Sequence, residues 1–144
     1  MNGPDSSAAN AEADLYGLLS ESLSFPNAEL AEAVDSGRFL STIGHLLGHL
    51  SYDAGAPLDG LEPPGLPAGE LEAEYIRLFD LPDRTPTPLY TGVYAPRRRD
   101  AMEELLRLYR HFGLTVDSEA HDLPDFVPTV LEFNAPCACE LYAE

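Results

Sequence analysis

The chain has no tryptophan and no lysine, only two cysteines, and no apolar run approaching the roughly eighteen residues a membrane-crossing helix needs. Each absence excludes something. Without such a run no transmembrane segment is expected, and Met1-Asn2-Gly3-Pro4-Asp5-Ser6 lacks the basic segment and apolar core of an export signal. Both point to a soluble, cytoplasmic protein. Cys137 and Cys139 stand one residue apart, too close in sequence to clamp a long loop, and such spacing fits a reducing compartment. The missing lysines leave eight arginines against 25 acidic residues, a formal charge of −17. That charge repels nucleic acid and anionic headgroups, so neither nucleic acid nor membrane is an expected partner.

At 144 residues the chain suits one domain with a single core. Its acidity is uneven: residues 1–74 hold 13 acids and one arginine, whereas residues 75–144 hold 12 acids and seven arginines. Solubility accounts for most of this, and a basic partner is permitted by it without being required. Between Glu74 and Phe133 there are carboxylates beside aromatic and aliphatic groups, but no nucleophile motif, phosphate loop or metal cage. The stretch reads as a binding surface rather than a catalytic one, with no cofactor expected.

Residues 1–9 are small and polar and read as disordered. After Asn10, a candidate N-cap, Leu15, Leu18, Leu19 and Leu23 recur at helical spacing until Phe25-Pro26. Asn27 can cap a second helix running to Gly37, and Phe39, Leu40, Ile43, Leu46, Leu47 and Leu50 form the face of a third, core-forming helix. Residues 55–69 are a proline- and glycine-rich loop. Leu71, Tyr75, Leu78 and Phe79 mark a fourth helix. A fifth, with Pro96 in its first turn, carries the stripe Met102, Leu105, Leu106, Tyr109 and Phe112 and stops at Gly113. Asp125 is placed to cap a sixth helix that Pro136 ends, leaving residues 136–144 as an atypical tail. Nothing alternates with period two for long, so the expected fold is all-α: a single helical domain over residues 10–135.

On the sixth helix, Phe126, Val130 and Phe133 share one face, while Asp125, Thr129 and Glu132 share another, which puts carboxylates along an apolar stripe. Taken singly, these residues read more simply as a cap, a solvated acid and core aromatics. His45 and His49 lie four apart, a spacing suited to metal ligation, yet His45-Leu46-Leu47-Gly48-His49 lacks the glutamate that zinc proteases use as base. Two histidines need further ligands. His111, His121, Cys137 and Cys139 are the remaining soft candidates, and a small metal-binding protein or enzyme built on them is the rival reading. Arg97, Arg98 and Arg99 open the fifth helix against its dipole, with Asp100, Glu103 and Glu104 in reach to offset them.

The ordered combination Glu74-Tyr75-Ile76-Arg77-Leu78-Phe79, Pro88-Leu89-Tyr90-Thr91-Gly92-Val93-Tyr94, Met102 through Leu114, and Leu123-Pro124-Asp125 through Leu131-Glu132-Phe133 resembles the TorD/NarJ-like family. These are assembly chaperones of molybdenum enzymes of the dimethyl sulfoxide reductase type, including nitrate reductase delta subunits. The resemblance implies an all-helical, non-catalytic cytoplasmic protein whose partner is the apo catalytic molybdopterin subunit of such an oxidoreductase. It implies that the subunit, often through its twin-arginine leader, is held until cofactor insertion. An arginine pair followed by an apolar segment is best met by carboxylates beside a greasy groove. On that basis the client surface is expected at Tyr75, Phe79, Pro88, Tyr90, Asp122, Pro124, Asp125, Phe126 and Glu132. Phe126 and Val130 replace a histidine and an acid found in many relatives, which places the chain nearer the nitrate reductase branch. Relatives continue past Phe133 with further helices, whereas Asn134 to Cys139 breaks the pattern, so a C-terminally truncated or frameshifted chain is expected. Such a chain would leave part of its apolar face open to water.

Overall fold

In the computed structural model, residues 6–52, 58–81, 85–116 and 122–141 are described. They form six α-helices: α1 (Ser6–Leu23), α2 (Ala28–Asp35), α3 (Arg38–His49), α4 (Ala68–Phe79), α5 (Arg98–His111) and α6 (Val127–Leu141), with a 3₁₀ turn at Thr91–Val93 before α5. Among the described residues there is no strand, only an isolated antiparallel bridge between Tyr90 and Phe126. The all-α expectation holds.

The main helix pair is α1 on α6, with α3 packed on α1 and α2, and α4 on α2. The Ser20 hydroxyl donates to the Pro128 carbonyl at 2.8 Å, tying the last turn of α1 to the first turn of α6. Buried alanines at 9 and 11 on α1 and at 138 on α6 are small enough to let helices approach closely. They also explain why α1 begins at Ser6 rather than after Asn10: alanine has the best helix propensity, so the Ala-rich start joins the helix. Residues 6–9 of the segment read as disordered are therefore helical, while residues 1–5 lie outside the described ones.

Asn27 caps α2 as its sequence suggests, its side-chain oxygen accepting from the Leu30 N–H at 2.8 Å. Elsewhere packing overrides local punctuation. Pro136 sits inside α6 instead of ending it, so residues 136–141 continue the helix rather than forming a separate tail. Proline's fixed φ is helical, and its cost is the missing N–H that would have bonded four residues back. Similarly α5 starts at Arg98 with Arg97 in the cap position, so Pro96 precedes the helix. On α3 no residue is fully buried; its apolar face is half-covered, and the core lies instead around Leu89, Tyr109 and Phe133, with Leu30 and Ala31 on α2.

Candidate functional site

Two chain segments distant in sequence meet at the start of α6. The Val127 N–H donates to the Leu89 carbonyl at 2.8 Å, and the Thr91 N–H donates to the Asp125 carbonyl at 2.9 Å. Between these bonds the Tyr90 and Phe126 rings pack tilted at 39° with centroids 5.3 Å apart. The Asp125 carboxylate is fully buried, and its Oδ2 accepts from the Gly92 N–H at 3.0 Å. Asp125 is thus neither the helix cap nor the exposed acid that its sequence suggested. It is turned inward to hold the 90–94 turn, which leaves it no surface on which to meet a guanidinium.

Gly92 is required at this junction: a Cβ there would lie 2.7 Å from Asp125 Oδ2 and 2.8 Å from Arg98 Cγ. From the other side the Tyr109 hydroxyl donates to the Pro124 carbonyl at 2.9 Å. The Asp122–Phe126 loop is therefore fastened both to the turn before α5 and to α5 itself.

Against this loop lies an open cavity of about 570 Å³, bordered by Tyr109, Leu123, Pro124, Glu132, Phe133 and Asp122 among others. Its floor is aromatic, with the Tyr109 and Phe133 centroids 4.8 Å apart, and Phe112, which does not line the cavity, meets Phe133 edge-on at 5.5 Å. Asp122 and Glu132 are both exposed, while Leu114, Val116 and Leu123 beside it are 38–45% exposed. The combination of two carboxylates and an apolar floor suits a cation attached to a nonpolar chain.

Beside it is a second aromatic group. The Tyr75 hydroxyl donates to the Leu23 carbonyl at 3.0 Å, and its ring meets Phe25 and Phe79 edge-on at 5.4 and 5.1 Å. Burial, then the charges of Asp122 and Asp80 and the Tyr90 hydroxyl, push the Tyr75 phenol up to about 12. Burial and Asp122 also raise Tyr90, whose hydroxyl makes a long 3.5 Å contact to Asp122 Oδ1. Asp122 thus connects the two groups electrostatically.

Of the expected surface residues, Asp122, Pro124 and Glu132 share the cavity, and Tyr90 and Phe126 stack beside it. Tyr75 and Phe79 form the adjoining cluster. Pro88 is half-buried, with its carbonyl accepting from the Tyr94 hydroxyl at 3.1 Å. Sequence reading missed Phe25, which stands in the α1–α2 connection, and took Tyr109 and Phe133 only as core. The signal for both was present as aromatic residues on the helical stripes of α5 and α6.

The arginine cluster is offset locally: Arg97 pairs with Asp100 at 3.5 Å, and Arg99 and Arg107 with Glu103 at 3.1 and 3.9 Å. These pairs are highly exposed, so each contributes little. Among the described residues no group of three or more His, Cys, Asp or Glu could hold a metal. His121 and the Cys139 side chain of the rival reading lie outside the described ones. No helix of the described residues is long and apolar enough to cross a membrane.

Residues 38–144 match the model of a family described as nitrate reductase delta subunit. The chain is 41% identical over 80 residues to a chlorate reductase assembly chaperone protein from Ideonella dechloratans, a match covering 54% of this chain and 42% of that protein. It is 37% identical over 79 residues to a selenate reductase assembly chaperone protein from Thauera selenatis, covering 53% and 41%. The chain thus matches about two fifths of the length of these relatives. In fold it is similar to the crystal structure of a candidate redox enzyme maturation protein from Archaeoglobus fulgidus, with a TM-score of 0.56 at 20% identity over 92% of this chain and 74% of that one.

Proposed function

The chain belongs to the nitrate reductase delta subunit family, and from that premise we propose that it is a non-catalytic assembly chaperone acting in the cytoplasm. Its client is the apo catalytic subunit of a molybdoenzyme of the dimethyl sulfoxide reductase type, held until the molybdopterin cofactor is inserted. The observation that carries this reading is the cavity with Asp122 and Glu132 on an aromatic floor of Tyr109 and Phe133. Carboxylates accept paired guanidinium bonds, and the adjoining apolar wall receives the nonpolar residues that follow an arginine pair in a leader segment. Tyr75, Phe79, Tyr90 and Phe126 extend the apolar surface, and Asp125 fixes the loop that presents Asp122. The names of the two assembly chaperones similar to it support the same role.

Titration of the protein with a twin-arginine leader peptide, and with the same peptide carrying lysine in place of both arginines, tests this reading. Saturable binding of the first, weakened about tenfold or more in the second, is expected from the loss of bidentate geometry. Equal, negligible binding of both overturns leader recognition in this cavity.

A further inference from the structure

His45 and His49 stand one turn apart on the exposed side of α3, with their Nε2 atoms 3.1 Å apart. The ring centroids are 4.6 Å apart with planes at 84°. Because the nitrogens are closer than the centroids, the rings converge on their Nε2 edges and open away from each other. At an imidazole nitrogen to metal distance of about 2.0–2.1 Å, nitrogens with this separation subtend roughly 95–100° at a shared ion. That lies between the roughly 90° of neighbouring ligands in square-planar or octahedral coordination and the roughly 109° of tetrahedral structural zinc, so either geometry is reached by a small side-chain adjustment.

We propose that His45 and His49 form a two-nitrogen surface site for a square-planar or octahedral divalent transition metal, with copper(II) held most tightly and nickel(II) next. Among the described residues no further His, Cys, Asp or Glu completes a set of three, and water is an acceptable ligand for such ions in the remaining positions. Three features favour a dication here. His49 is the last residue of α3, where the helix dipole presents its negative end. The chain's net charge of −17 draws cations toward its surface. Both rings are exposed, so the ion need not enter the core or break packing. The order, with copper above nickel and zinc, follows from the usual stability series of divalent ions on nitrogen ligands.

A hydrogen bond between the two Nε2 atoms would give the same spacing, and metal titration separates the two. Copper(II) chloride and nickel(II) chloride are titrated into the full chain in a non-coordinating buffer. Wild type is compared with His45→Gln, His49→Gln, the double variant and a His111→Gln control, with circular dichroism confirming equal helicity. Expected are one copper per chain, an electron paramagnetic resonance spectrum showing two nitrogen ligands, and an affinity loss of about tenfold or more in either single variant. That loss reflects the second imidazole being already in place once the first has bound. His111→Gln should bind as wild type does. No copper uptake by wild type, or unchanged uptake by the double variant, overturns the proposal.

Discussion

The Asp125 carboxylate accepts the Gly92 N–H at 3.0 Å while the neighbouring Asp125 carbonyl accepts from Thr91 at 2.9 Å, so one residue bonds two successive amides of a turn 33 positions earlier in the chain. The arrangement is close enough that Gly92 has no room for a methyl group.

Gly92→Ala should therefore destabilise the fold by about 1–3 kcal/mol, the usual cost of overpacking a filled site. Asp125→Ala should cost a similar amount, about 1–3 kcal/mol, because it leaves a buried N–H without its acceptor. The two changes should not add. Removing the carboxylate clears one of the two close contacts of the new methyl group, the other being Arg98 Cγ, so urea denaturation of the double variant should show a loss smaller than the sum. Additive losses would place the clash of the new methyl group on Arg98 rather than on the carboxylate.

Pro136 lies inside α6 with no N–H to offer the carbonyl one turn back. Pro136→Ala should restore that bond and stabilise the chain by about 1–2 kcal/mol: roughly 3 kcal/mol of helix-interior cost removed, less about 1 kcal/mol for the freer unfolded chain. Differential scanning calorimetry should show a Tm rise of a few degrees. A fall in Tm would show that the ring of Pro136 is itself needed beside Phe133 in the cavity wall.

How much of this was legible depended on range. Asn27 at the start of α2 and the one-turn spacing of His45 and His49 are local patterns present as read, whereas on the α5 stripe Tyr109 is buried but Phe112, at the C-cap, is 42% exposed. Asp125 was misread because an aspartate two residues before a helix resembles a cap, and nothing local reveals that Gly92 will bring its N–H to that carboxylate. Pro136 was misread for a related reason. A proline normally ends a helix, but here the packing of α6 on α1 offsets one lost bond. On α3 the periodicity was right and the depth was wrong, since a strong apolar face says which side is covered and not how fully.

The Tyr75 phenol is pushed up to about 12 from its ordinary 10, chiefly by burial and then by Asp122 and Asp80. Tyr90 and Tyr109 are displaced in the same direction. In the unfolded chain Tyr75 loses its proton near pH 10, whereas in the fold it keeps it longer, so the unfolded state binds fewer protons between the two values. The stability from this neutral phenol is whole below pH 10 and is lost as pH rises through about 12. Tm measured from pH 8 to 12 should fall on the alkaline side, and Tyr75→Phe should show a shallower fall. At neutral pH that variant should be weaker by about 1 kcal/mol for the lost bond to Leu23. An unchanged alkaline slope in Tyr75→Phe would remove Tyr75 as its source.

Asp122 and Glu132 supply the cavity's negative charge, and the proposed client role makes them separable from the aromatic floor. Asp122→Asn and Glu132→Gln keep side-chain size while removing charge, and both residues are exposed, so the fold should persist with little change in Tm. Each should weaken binding of a twin-arginine leader peptide by about tenfold, the scale of one hydrogen bond to a charged group. Salt should weaken the wild-type complex more than either variant, because screening acts on the charge the variants lack. Phe133→Leu tests the other component: it thins the aromatic floor against Tyr109 but leaves both carboxylates. Its affinity loss should be largely independent of salt. Isothermal titration at low and high ionic strength distinguishes these patterns, and equal salt sensitivity in wild type and both charge variants would place arginine recognition elsewhere on the protein.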